Sequence, residues 1–238
     1  MNLVATGVNV KFTDLAWGAL LFYYKSSGDR KYVKLFRDTD FISKLRQTPW
    51  EVPPDEFEDK VIFGFISSVG LRLPAVRGKD TLLTQIIELH PNISSLQGLN
   101  LIDCDLSNED LLNSIGQIYD RFCSIHGFWV TGISKISHVL NDSLFVTLNL
   151  STSSYFGLFG GSEDFIKWLR LMQENAQEVN KDFQALGFPG SPEEFLSDKL
   201  GYTHYGCQKS LARFIDEYFW LTTSENLPVP PKWLPPSL

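Results

Sequence analysis

The stretch Phe128-Trp129-Val130-Thr131-Gly132-Ile133-Ser134-Lys135-Ile136-Ser137-His138-Val139-Leu140 brings an apolar segment to a glycine and follows it with a Ser-Lys pair and apolar residues at helical spacing. It reads as the end of one helix, a glycine turn at Gly132, and a new amphipathic helix that starts at once. A glycine turn entering a helix N-terminus aims several backbone N–H groups at one spot, where an anion can be held. Lys135 is expected in the first turn of that helix and would add positive charge. With the helical segment before it, the outline is helix, glycine hairpin, helix. Such a unit grips one nucleic-acid phosphate through hairpin amides and the helix dipole, and reads little sequence. The contacts expected are Thr131, Gly132, Ser134, Lys135 and His138. The competing reading is a tight inter-helical turn carrying a surface lysine.

Helical periodicity extends in both directions from this point. Residues 12–25 form an apolar helix, and 30–46 continue at helical spacing with an interruption at Asp38-Thr39-Asp40. Pro49, Pro53 and Pro54 break the chain, and Asp55 is a candidate N-cap for the helix that follows. Residues 70–78, with Arg72 and Arg77, read as a loop. Thr81 to His90 reads as a helix stopped by Pro91. Ser107-Asn108-Glu109-Asp110 opens a long helix to about Ile125. Leu144-Phe145-Val146-Thr147-Leu148 is β-prone, either a strand or a buried extended connector. A strong amphipathic helix starts at Ser162 with Phe165, Trp168, Leu169 and Met172 on one face. Ser191-Pro192-Glu193-Glu194 caps another, with Pro at the first helical position. A last helix carries Leu211, Phe214, Ile215, Tyr218 and Phe219. The expectation is an all-α, multi-helix globular domain with a helix-hairpin-helix-like motif and at most a trace of strand. It spans residues 1–226 as one domain, with a candidate helical subdomain at 1–48, and ends in a proline-rich tail at 227–238.

The composition suits a soluble core-forming chain: 238 residues, 43% hydrophobic and 13% aromatic, with a net charge of -7 and a pI of about 5.1. An acidic whole argues against non-specific nucleic-acid binding but leaves room for a local basic site. Cys104, Cys123 and Cys207 are odd in number and widely spaced, which favours buried thiols in a reducing compartment over disulfides or zinc. His90, His126, His138 and His204 make no metal-ligand spacing. The N-terminal residues, without a basic n-region or a small-residue cleavage site, do not read as a secretory signal, and the apolar run Leu15 to Tyr24 is expected to be too short to cross a bilayer. A cytoplasmic location with no membrane association is the expectation, and no cofactor or metal is implied.

The block Thr131 to Val146 resembles a segment of a bacterial helix-hairpin-helix family related to the DNA glycosylase superfamily, on a Ser-Lys-x-x-His pattern followed by Leu-Phe-Val. Phe165 to Gln173 is similar to that family's aromatic helix, and Ser210 to Tyr218 to its closing helix. The similarity spans roughly residues 55–222. In glycosylases of the superfamily a lysine after the hairpin attacks the sugar and a later aspartate assists. The resemblance therefore makes Lys135 the one catalytic candidate, a role that needs a desolvated or cation-flanked amine. Two positions depart from the pattern. Ile133 stands where a second hairpin glycine is expected, and Asn149 takes the aspartate position without its charge. His138 has a competing reading as a hydrogen-bonded core histidine. Asp103 and Asp105 flank Cys104 without a third ligand, so capping carboxylates are expected there rather than a metal site. Arg72, Arg77 and Lys79 form a small basic loop.

Three functions follow as expectations. The first is an uncharacterised helix-hairpin-helix-like protein that contacts nucleic-acid backbone without catalysis. The second is a protein-interaction or scaffold module on a degenerate glycosylase-like fold, with a protein partner. The third is a base-excision DNA glycosylase acting through Lys135. The first predicts a positive concave surface at Lys135.

Overall fold

A computed structural model describes residues 9–25, 29–66, 79–158 and 160–225. The arginines of the expected loop at 70–78 and the proline-rich tail lie outside the described residues. The elements in order are α1 (Phe12–Lys25), α2 (Asp29–Phe36), α3 (Thr39–Gln47), α4 (Pro54–Phe57), α5 (Lys79–Glu88), α6 (His90–Ser95), α7 (Glu109–Cys123), α8 (Val130–Leu140), α9 (Leu150–Phe156), α10 (Ser162–Ala185), α11 (Pro192–Lys199) and α12 (Leu211–Ser224). A π-helical turn, Glu58–Phe63, continues α4, and short 3₁₀ turns occupy Pro49–Glu51 and Thr203–Tyr205. No strand occurs among the described residues, so the fold is all-α as expected.

The longest helix, α10, shows why. Phe165, Trp168, Leu169, Met172, Ala176, Val179 and Phe183 recur every three or four residues, and all are buried. That stripe packs on α7, α1 and α12. The first helix lies against the last. Gly18 of α1 lets the two approach so closely that an added Cβ would stand 2.8 Å from Tyr218 Cδ2. One contiguous hydrophobic cluster runs from Val10 to Phe219 and includes residues of α1 to α3.

Several local signals resolve differently from the sequence expectation. Asn108, not Ser107, caps α7 by accepting from the amides of Asp110 and Leu111. Pro53, not Asp55, precedes α4. Pro91 occupies the first turn of α6 instead of ending a helix cleanly, because its missing N–H is no loss there. Residues 144–148 form the buried connector rather than a strand. They are fixed by Trp168 Nε1, which donates to the Val146 carbonyl at 3.1 Å, and by the Leu148 amide, which donates to Ser134 Oγ at 2.8 Å. Ser191 does form the expected capping box with Glu194.

Candidate functional site

Helix α8 lies at the centre of the molecule. Every residue from Thr131 to Leu140 is buried, so the helix expected to be amphipathic is enclosed on all sides. Gly132 is not the turn. It is the third residue of the helix, and the residue with left-handed backbone in the α7–α8 connection is Gly127, at φ 84°. Glycine at 132 instead faces the Phe128 ring, which an added Cβ would meet at 3.5 Å, an ordinary contact distance. Trp129 caps the helix with no side-chain hydrogen bond and is itself exposed.

The polar residues of α8 serve the interior. Ser134 Oγ binds the backbone of Leu148, and Ser137 Oγ donates to the Ile133 carbonyl at 2.9 Å. His138 Nδ1 lies 2.6 Å from the Phe145 carbonyl, and its Nε2 finds no partner among the described residues. Its ring packs against Tyr32 and Phe36 of α2. Burial holds the imidazole pKa below its ordinary value. The histidine is therefore a core residue. Lys135 is only 6% exposed. Its Nζ reaches the carbonyls of Phe65 and Ile66, each at 3.5 Å, and lies 5.3 Å from the centre of the Phe65 ring. Desolvation, helped by the nearby Arg213 guanidinium and by Lys31, lowers its pKa to about 7 against the opposing pull of Asp216. The concave surface expected at Lys135 is thus a packed interior.

Around this helix stands a buried ionic group that the sequence reading passed over. Lys209, from the turn before α12, is fully buried and pairs with Glu217 while donating to the Tyr202 hydroxyl at 3.0 Å. Arg213 pairs with Asp216 and lies 3.0 Å from Glu217, and its guanidinium covers the Tyr32 ring. Asn141 ends α8 with four bonds: its Nδ2 donates to the carbonyls of Leu96 and Leu99, and its Oδ1 accepts from the amides of Ser143 and Leu144. Asp142 pairs with Arg46 at 2.7 Å.

An open concave surface lies next to this interior. A cleft of about 430 Å³ is lined by Lys31, Lys34, Leu35, Arg37 and Asp38 of α2 and the turn after it, together with Asp59, Lys60, Gly64, Tyr205 and Gly206. Lys60 is neutralised there by Asp38 and Glu56, both at 2.6 Å. Lys31, Lys34 and Arg37 form no ion pair among the described residues. Tyr205 lines the cleft and is largely exposed. The signal for this site was present in the chain. Arg30, Lys31, Lys34 and Arg37 repeat along one helical face, while Tyr32, Leu35 and Phe36 turn inward.

The remaining candidates are structural. Asp105 accepts from the Ser107 amide and hydroxyl, Asp103 from the Asn100 amide group, and Asn149 caps α9 by accepting from the Thr152 amide. Cys104 and Cys207 are buried as expected, whereas Cys123 is exposed because it ends α7 on its outer face. No group of three or more metal-ligating side chains gathers among the described residues, and no helix there is long and apolar enough to cross a membrane. Comparison of the chain with protein-family models, curated proteins and solved structures finds no match.

Proposed function

We propose that the protein contacts nucleic-acid backbone, without catalysis, through the cleft beside α2, with α8 forming its inner support. One observation carries this reading. On a chain of net charge -7, three cations free of ion pairs among the described residues converge on one concavity. The exposed Tyr205 in its lining adds a face on which a base can stack. The residues Thr131, Gly132, Ser134, Lys135 and His138 act here from behind the surface rather than by touching phosphate.

Fluorescence polarisation of a labelled oligodeoxythymidylate tests the reading. Three phosphate contacts on a single strand give a slope of about -2 in log affinity against log salt. Replacing Lys31, Lys34 and Arg37 together by alanine is expected to lower affinity at least tenfold and to remove that slope. Absence of binding at low salt, or binding indifferent to the triple variant, refutes it. The scaffold reading draws on a different observation, the exposed Trp129, Leu150 and Tyr155. It predicts that changing these three to serine abolishes a protein contact while leaving oligonucleotide affinity untouched.

A further inference from the structure

Lys135 and the cleft share a wall. Gly64 lines the cleft, and the carbonyls of the next two residues, Phe65 and Ile66, are the ones that Lys135 Nζ reaches from inside. Lys31 also lines the cleft and raises the cost of charging Lys135. Helix α2 ties the two together: Tyr32, next to Lys31, packs on His138, one turn along α8 from Lys135.

The charged groups that act on Lys135 come from two elements. Helix α12 brings Arg213 and Asp216 and α2 brings Lys31, while His138, a turn along α8, is a buried imidazole whose charged form burial disfavours. Asp216 is already engaged by Arg213. A proton on Lys135 is therefore opposed by two cations and by burial, with one shared carboxylate in its favour. Resting on the cleft as the anion site, we infer that a polyanion seated on Lys31, Lys34 and Arg37 draws a proton onto Lys135, so the cleft binds more tightly in mildly acidic than in alkaline solution. The incoming phosphate or sulfate offsets Lys31 and supplies the missing negative field across the 64–66 backbone. The coupling is reciprocal: whatever raises the affinity of Lys135 for a proton is strengthened by that proton in equal measure.

Phosphodiesters and sulfate esters keep their charge from pH 6 to 9, so any slope across that range belongs to the protein, and the variants say to which group. The experiment measures the affinity of an oligodeoxythymidylate and of a heparin-derived sulfated oligosaccharide at pH 6, 7.5 and 9, in wild type, Lys135→Met and His204→Gln. Affinity of the wild type is expected to fall about tenfold from pH 6 to 9. In Lys135→Met the fall shrinks below twofold, and in His204→Gln it persists. A slope that survives in Lys135→Met, or that vanishes in His204→Gln, overturns the inference while leaving the nucleic-acid reading standing. Binding of the sulfated probe alone, with the slope lost in Lys135→Met, supports the inference and defeats nucleic acid as the partner. Binding of neither probe defeats both. A second measurement needs no ligand. The ¹³Cε resonance of Lys135, assigned by its loss in Lys135→Arg, should titrate near neutrality, and Lys31→Glu should move its midpoint upward by more than half a pH unit. An unmoved midpoint overturns the coupling.

Discussion

Replacing Lys135 by methionine should stabilise the protein, and by an amount that depends on pH. The side chain keeps its length and apolar volume but loses a charge that the interior disfavours. The fall of the amine pKa from 10.5 to about 7 corresponds to about 5 kcal/mol of destabilisation at acidic pH, at ~1.36 kcal/mol per pH unit. The sign follows from proton counting. Below pH 7 the lysine is charged in both folded and unfolded chains, and the cost is present in full. Between 7 and 10.5 unfolding takes up a proton, so wild-type stability rises with pH through this window. Above it the lysine is neutral in both states and the cost is gone. Methionine also strips a donor from the Phe65 and Ile66 carbonyls, at about 1 kcal/mol each. The net is a gain of about 3 kcal/mol at pH 6, shrinking through pH 8 and becoming a loss of about 1 kcal/mol by pH 10. Guanidinium chloride unfolding at pH 6, 8 and 10 measures it. A variant destabilised equally at all three pH values would refute the reasoning, because it would mean that the fold compensates the ammonium fully.

Other consequences are as direct. Gly132→Ala should leave stability unchanged or raise it by up to about 1 kcal/mol in thermal melts, since the residue is helical and its Cβ meets Phe128 at contact distance. A loss of several kcal/mol would restore the turn reading. Gly18→Ala should cost about 1–3 kcal/mol, because the Cβ collides with Tyr218 where α1 crosses α12. Asn141→Ala should cost about 2–4 kcal/mol in chemical unfolding by orphaning two carbonyls and two amides at the end of α8. Lys209→Met should cost about 3–5 kcal/mol by leaving Glu217 short of a partner, and the double variant with Glu217→Gln should recover part of that loss in the same assay.

Periodicity made α10 legible because a helix with one wet and one dry face writes that contrast into its sequence. The same rule fails for α8. A helix enclosed on every side has no polar face to mark it, and its Gly132, Ser134 and Ser137 carry the composition of a turn while in fact lying buried, the two serines bonded to backbone. Lys135 was legible as a helical residue near a special place. Whether its helix meets water is decided by α2, α12 and the 65–66 backbone, which are distant in sequence. Arg213, Asp216 and Glu217 illustrate the converse. On an amphipathic helix they read as a solvated edge, and only the arrival of Lys209 allows Glu217 and Asp216 to be buried with their charges matched. The basic stripe of α2 was in plain view, but a whole-chain charge of -7 averages it away.

The contact between Gly18 and Tyr218 joins positions 200 residues apart. Closing so long a segment is a slow search whose entropic cost precedes the packing that rewards it, so this pair should assemble late and limit the folding rate. Folding of the chain is therefore a ring closure, and a covalent staple between α1 and α12 should shorten that search.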